Sequence, residues 1–344
     1  MKLRYLLIML LAFCLTGCTL DDTVPGTTAP SSETTLPTTT TESQQAATTE
    51  PAETSATEVT PRPEPSDESF VNVKTYIPDI VIDLRYATDN NFTHVPIYDF
   101  TDAWLRYGTV KKLISVQEEL QSRGLCLKLW DGFRPTSAQF KLWEIYPDST
   151  YVANPNRGFS AHSRGNTVDV TIVYADGTEL VMPTGFDDFS ELADRDYSDC
   201  TEEAAINAQF LEQLMTKHGF KPYAGEWWHF TDTQAYPLEQ AFTPIAPSLY
   251  YAHCKSYISL RSNPSTAATV LVKIPADQQF WVVASCGEFV YIEYQGLYGY
   301  VLRSYTRPVS QVRSSASMVW IPASRSALAS TPEPSISVPV KLPS

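Results

Sequence analysis

The chain has 344 residues, with 25 Lys and Arg against 39 Asp and Glu and a formal net charge of −14. That length accommodates two domains with cores of their own. The acidic balance argues against nucleic acid or anionic lipid as a partner, and six Cys with no CxxC pair argue against a structural zinc knuckle.

Met1-Lys2-Leu3-Arg4 is positively charged, and the apolar run Tyr5 to Leu15 that follows is too short to span a bilayer. It fits the h-region of a secretory signal. Leu15-Thr16-Gly17-Cys18 resembles a bacterial lipobox, which predicts a signal over 1–18 and lipidation at Cys18. The alternative is an ordinary signal cut elsewhere, with Cys18 incidental. The expected location is extracytoplasmic, lipid-anchored to the bacterial cell membrane. Residues 19–67 are Thr, Ser, Pro, Ala and Glu with almost no large apolar side chains, so burial cannot offset ordering entropy and a disordered tether is expected.

A first domain is expected over 68–246, with α+β composition and a mainly antiparallel sheet. Val71 to Ile77 and Ile80 to Tyr86 read as strands. Thr109 to Arg123 reads as a helix with Thr109 as N-cap and Gly124 as its stop. Leu125 to Trp130 alternates as a strand, and Thr136 to Tyr146 reads as a helix ending before Pro147. Val168 to Tyr174 and Glu179 to Met182 flank Ala175-Asp176-Gly177-Thr178, a hairpin signal. Thr201 to His218 is a second long helix, capped by Thr201 and stopped by Gly219. A second domain over 247–307 holds short strands such as Phe280 to Val283 and Phe289 to Tyr294, the pattern of a small all-β barrel. Cys254 and Cys286 fall in it and can pair in an oxidising exterior; the alternative is free thiols throughout. The tail over 308–344 is again low in complexity, with Met318-Val319-Trp320-Ile321 as its apolar knot.

Two short segments carry the chemistry. Ser160-Ala161-His162-Ser163-Arg164-Gly165-Asn166-Thr167-Val168-Asp169 and Glu226-Trp227-Trp228-His229 hold two of only five His in the chain. Two imidazoles, a short carboxylate and a longer one are what a catalytic zinc site needs: three ligands, an open position and a separate acid/base. Asp169 lies between Val168 and Val170 on a strand, where a carboxylate is costly unless paired or metal-bound; the alternative is that it faces solvent. Glu226 and His229 stand three apart, so an ideal strand would send them to opposite faces and the segment must bend. Trp227 and Trp228 either wall a pocket or pack in the core. Asp131-Gly132-Phe133-Arg134-Pro135 places Arg134 at a strand end, where it either steadies an oxyanion or sits on the surface.

These motifs, with Arg85-Tyr86-Ala87-Thr88 and Asn90-Asn91-Phe92-Thr93, resemble the D-alanyl-D-alanine dipeptidases, the zinc D,D-peptidases of vancomycin resistance, over roughly Phe70 to Pro237. The resemblance implies one Zn2+ per chain on His162, Asp169 and His229, Glu226 as general base and then acid, and Arg134 as transition-state stabiliser. It maps the carboxylate that holds the substrate ammonium onto Asp187, with Ser160 as a further substrate contact. The stretch after Asp187 departs from the family's pattern. Ser259-Leu260-Arg261-Ser262-Asn263-Pro264-Ser265 and Tyr298-Gly299-Tyr300-Val301 resemble a bacterial SH3-type domain, which implies a cell-wall polymer as partner. The expected reaction is hydrolysis of D-Ala-D-Ala. The alternatives are a zinc D,D-carboxypeptidase trimming peptidoglycan stem peptides and a non-catalytic wall-binding lipoprotein.

Overall fold

The computed structural model describes residues 64–309. The expected signal, Cys18, the tether up to residue 63 and the Met318–Ile321 run lie outside the described residues. Residues 64–67, expected as the end of the tether, are laid against a helix: the Tyr107 hydroxyl donates to Glu64, and the Gly108 N–H donates to Asp67 O at 3.1 Å.

In chain order the elements are β1 (Phe70–Asn72), α1 (Val73–Tyr76), β2 (Val81–Ile82), β3 (Trp104–Arg106), α2 (Tyr107–Gln121), β4 (Leu125–Asp131), α3 (Thr136–Ile145), β5 (Thr167–Tyr174), α4 (Glu202–Lys217), β6 (Phe220–Tyr223) and β7 (Glu226–Asp232). They are followed by β8 (Phe242–Ala252), β9 (Tyr257–Arg261), β10 (Val270–Pro275), β11 (Gln279–Cys286), β12 (Phe289–Tyr294), β13 (Leu297–Leu302) and β14 (Thr306–Pro308).

The central sheet has the order β2-β4-β5-β7-β6, antiparallel except for the β2–β4 pair. Helix α2 buries Val110, Leu113, Val116 and Leu120 completely, and Gln117 Oε1 accepts the Leu127 N–H at 2.9 Å, pinning it to β4. The helix begins two residues before the expected cap. Ser69 and Asp67 carbonyls already accept the Tyr107 and Gly108 N–H groups, so no capping side chain is required. Thr109 instead donates to the buried Asp232 at 2.8 Å. Helix α4 follows its sequence signals: Thr201 Oγ1 accepts the Ala204 N–H, Glu202 and Glu203 occupy the first turn, and Gly219 follows at φ 86°.

Three expected strands are shortened. The strand expected over Val71–Ile77 stops at Asn72, whose Oδ1 accepts the Lys74 N–H and starts α1. The one expected over Ile80–Tyr86 reduces to Val81–Ile82 before a 3-10 turn at Arg85–Ala87. The second arm of the expected hairpin reduces to one bridge, Val173 to Glu179. Beyond it the Val181 carbonyl is taken by Asn207 of α4 at 2.9 Å, which leaves no ladder to extend.

The second sheet is antiparallel throughout, in the order β10-β9-β13-β12-β11-β8-β14, and no pairing joins its end strands β10 and β14. Strand β8 crosses the expected 246/247 boundary. Its register against β11 breaks between Pro244 and Ser248, where two prolines cannot donate to a ladder, but both halves pair with β11. One face of this sheet closes a core of Ile258, Leu260, Ile274, Phe280, Val282, Val290, Ile292 and Val301. The other face joins the first core: Phe242 stacks on Phe70 at 4.4 Å, and the Tyr291 hydroxyl donates to Phe70 O at 2.9 Å. Cys126, Cys200, Cys254 and Cys286 are free, so no Cys254–Cys286 disulfide forms. No helix among the described residues is long and apolar enough to cross a membrane.

Candidate metal centre

Adjacent strands place the ligand candidates side by side. Across β4, β5 and β7 the register puts Asp131 opposite Asp169 and Asp169 opposite His229. His162 arrives from the 3-10 turn Ala161–Arg164, which Ser160 caps by accepting the His162 N–H at 3.3 Å and which Gly165 ends at φ 76°. His162 Nδ1 lies 2.8 Å from the Gly132 carbonyl. A carbonyl can only accept, so Nδ1 carries a proton there, and the ring is oriented with Nε2 facing inward. His162 Nε2 is 3.3 Å from Asp169 Oδ2 and 3.4 Å from His229 Nδ1, and His229 Nδ1 is 3.1 Å from Asp169 Oδ1.

The bend required between Glu226 and His229 is a bulge. From Pro222–Phe230 to Tyr223–Glu226 the pairing takes one step on β6 and four on β7. The extra length turns Glu226 back, so its Oε2 stands 3.3 Å from His229 Nδ1. Trp227 and Trp228 are both fully buried against Trp130 and Phe186, so both are core residues and neither lines an open pocket. Arg195 clips β7 to β6: its guanidinium donates to the His229 carbonyl on β7 at 3.1 Å and to the Tyr223 carbonyl on β6 at 2.7 Å.

The electrostatics follow from burial and pairing. Burial alone would raise the Asp169 carboxyl, but His162 and His229 outweigh it and hold Asp169 well below the usual carboxylate range. Burial alone would lower His229, but hydrogen bonding and charge from Asp169 and Glu226 lift it to about 9. Asp169 Oδ1 is buried and accepts no well-aligned hydrogen bond. Two converging imidazole nitrogens and a buried carboxylate oxygen without a well-aligned hydrogen bond fit a divalent cation of zinc's preferences, one that displaces the His229 proton, and the three ligand atoms lie within 4.8 Å of one another.

A second group adjoins the first. Arg134 donates from Nε and Nη2 to Asp131 Oδ2, at 3.2 and 2.7 Å, and from Nη1 to Gln139 at 3.2 Å. Asp131 is completely buried and also accepts from the Tyr98 hydroxyl at 2.6 Å. The Arg134 guanidinium lies over the Tyr86 ring at 4.8 Å, and the Tyr86 hydroxyl donates to Asp187 Oδ2 at 2.7 Å. Burial, reinforced by Asp169 and Glu226, pushes the Asp187 carboxyl up to about 8 against the opposing pull of Tyr86 and Arg134. Asp187 adopts a left-handed backbone at φ 55°, uncommon for a non-glycine residue and tolerated best by Asp and Asn. Sequence reasoning assigned no role to Asp131, Tyr86 or Arg195. Asp131 and Tyr86 stand inside motifs it had singled out; Arg195 carries no local signal.

A family model described as D-ala-D-ala dipeptidase matches residues 66–247, more than half of the chain. The chain belongs to the D-ala-D-ala dipeptidase family. Among its relatives, the D-alanyl-D-alanine dipeptidase of Escherichia coli (strain K12) is 35% identical over 171 residues, 49% of this chain and 88% of that one. The D-alanyl-D-alanine dipeptidase of Enterococcus faecium is 32% identical over 168 residues, 43% of this chain and 83% of that one. A solved structure of VanYB in complex with D-Alanine-D-Alanine is 16% identical, with a TM-score of 0.26 over 38% of this chain and 73% of that chain. As a member of the D-ala-D-ala dipeptidase family the chain is a zinc metallopeptidase, and the His162–Asp169–His229 set is where its residues fit the ion.

Proposed function

We propose that this protein hydrolyses D-Ala-D-Ala to two D-Ala, using one zinc ion held by His162, Asp169 and His229. The observation that carries the reading is Glu226 Oε2 at 3.3 Å from His229 Nδ1, a carboxylate beside a three-ligand cluster to which it is not required as a ligand. Its dipeptide substrate follows from the family match and from the activity named for its relatives.

Zinc bound in this set supplies Lewis acidity and activates water near neutral pH. Glu226 takes one proton from the attacking water as the C–O bond forms, and delivers it to the nitrogen as the C–N bond breaks. Arg134 has five N–H donors, of which three are engaged by Asp131 and Gln139. The remaining donors are available to the oxygen on which negative charge develops. Asp187, beside Tyr86, receives the amino end of the dipeptide. Ser160 acts first through the cap that orients His162, with substrate contact as its further role.

The C-terminal sheet is proposed as an SH3-type module that contacts a wall polymer, on the strength of its Ser259–Ser265 and Tyr298–Val301 motifs. Cys18 and residues 19–63 are proposed as lipid anchor and tether, which places the enzyme outside the cytoplasm.

The deciding experiment compares free D-Ala-D-Ala with an N-acylated peptide ending in D-Ala-D-Ala. Cleavage of the free dipeptide with the blocked peptide left intact is expected. Rapid cleavage of the blocked peptide alone would replace this reading with a D,D-carboxypeptidase. Cleavage of neither by zinc-loaded protein would leave a wall-binding module.

A further inference from the structure

The turn that carries His162 is held from below by two residues that touch neither the ligand cluster nor Glu226. Arg106, at the end of β3, is buried, with 6% exposure. Its backbone N–H donates to Gly165 O at 2.8 Å and its Nε to Arg164 O at 3.0 Å. Its Nη2 reaches Glu239 Oε2 at 3.1 Å and its Nη1 reaches Glu68 O at 2.7 Å. The Glu239 backbone N–H donates to Ser163 O at 2.9 Å. Three consecutive carbonyls after His162 are therefore each held by Arg106 or Glu239. The guanidinium also covers the Phe70 ring at 4.1 Å, and a Cβ at Gly165 would come within 2.5 Å of that ring. The turn thus has little room to shift.

Glu239 also ties this clamp to the second sheet. Its Oε1 accepts the Ala241 and Phe242 N–H groups, at 2.8 and 2.9 Å, where β8 begins. Phe242 then stacks on Phe70, which lies 4.5 Å from Phe133 in the loop that presents Gly132 O to His162. Both the backbone of His162 and the acceptor that orients its ring are braced through this one cluster.

We infer that Arg106 and Glu239 form a positioning pair for His162, through which the docking of the C-terminal sheet sets zinc affinity. The inference rests on His162 being a ligand. Groups that orient a metal-bound histidine typically change metal affinity by about 10- to 100-fold when removed. A buried Arg stripped of its carboxylate must also find another partner or relax its grip on the turn.

The test measures the zinc dissociation constant of folded protein by chelator competition, for wild type, Arg106→Lys, Glu239→Gln and Val116→Ala. Glu239→Gln is the mild variant, since it keeps the backbone N–H and an oxygen for Ala241 and Phe242. Val116→Ala is the stability control, removing fully buried bulk from α2 away from the turn. Affinity about 10-fold weaker in Arg106→Lys and Glu239→Gln, with Val116→Ala within about twofold of wild type, is the expected result. Zinc affinity unchanged in both variants, with only thermal stability lowered, would make the pair merely structural and overturn the inference. Wild-type protein that takes up no zinc would instead overturn the metal-site reading on which the inference rests.

Discussion

Asp169 on β5 lies directly opposite His229 on β7, with Asp169 Oδ1 3.1 Å from His229 Nδ1. The pairing register makes these two groups neighbours, and burial forces them to share a charge or a cation. Replacing the carboxylate by Asp169→Ala removes an anionic ligand and leaves two imidazoles. We expect zinc affinity to fall by at least about 10-fold, read as zinc per chain after equilibrium dialysis. Asp169→Asn, which keeps a neutral oxygen, should lie between the two. Full zinc retention in Asp169→Ala would remove Asp169 from the ligand set.

Proton competition follows from His229. In the metal-free protein its imidazole is lifted from 6.5 to about 9, so zinc binding at neutral pH must displace a proton. Affinity should rise about tenfold per pH unit below that value and then level off. Calorimetry in buffers of different ionisation enthalpy reads the released proton directly. The metal-free fold has the opposite dependence. A group whose folded value is raised stabilises fully below its unfolded value and loses that contribution as pH passes its folded value. His229 therefore withdraws stability between pH 6.5 and about 9. Asp187, raised from 3.8 to about 8, acts in the same direction below it. Urea midpoints of chelated protein should fall across that window; a flat profile would contradict the pairing of His229 with Asp169 and Glu226.

Glu226→Gln tests the acid/base assignment apart from the metal. The amide keeps the shape of the side chain but cannot carry a proton between water and the leaving amine. Turnover of D-Ala-D-Ala should drop by about 10²- to 10⁴-fold while zinc content stays that of wild type. Loss of zinc together with activity would make Glu226 a ligand and not the base.

Where local chemistry decides, the fold could be read in advance. Helix α4 carries its cap, its acidic first turn and its glycine stop within one contiguous stretch, so its expected and observed limits agree within a residue. Strand β5 announced itself by Val168, Val170 and Ile172 alternating with Asp169 and Thr171, and the polar residues proved as buried as the apolar ones. The segment after Val71 misled because Asn72 turns the chain by a side-chain bond that β-propensity does not register. At the centre, His162, Asp169, His229 and Glu226 were legible as residue types. Their proximity was not, because it depends on the β5–β7 register and on the bulge on β7. Asp131 went unassigned for a related reason. Its work is done by contacts with Arg134, Tyr98 and the loop of His162, and only the folded chain brings these together.

Asp131 supplies the last prediction. It is wholly buried, and Arg134, with 11% side-chain exposure, has no other carboxylate partner among its hydrogen bonds. Burial would lower the Arg134 value, but Asp131 outweighs it and keeps the guanidinium charged. Asp131→Ala leaves that cation buried with Gln139 as its remaining side-chain acceptor and the Tyr86 ring beside it, and strands the Tyr98 hydroxyl. Breaking one side of a buried pair costs about 3–5 kcal/mol, so urea denaturation of zinc-free protein should show a loss of that size. Asp131→Asn should cost less, since its oxygen still accepts from Tyr98 and the Gly132 N–H. Measuring the metal-free form matters, because His162 Nδ1 lies 3.6 Å from Asp131 Oδ2 and zinc binding could mask part of the loss. A change below about 1 kcal/mol in Asp131→Ala would mean that Arg134 is held by Tyr86 and Gln139 instead, and that Asp131 does not anchor the guanidinium.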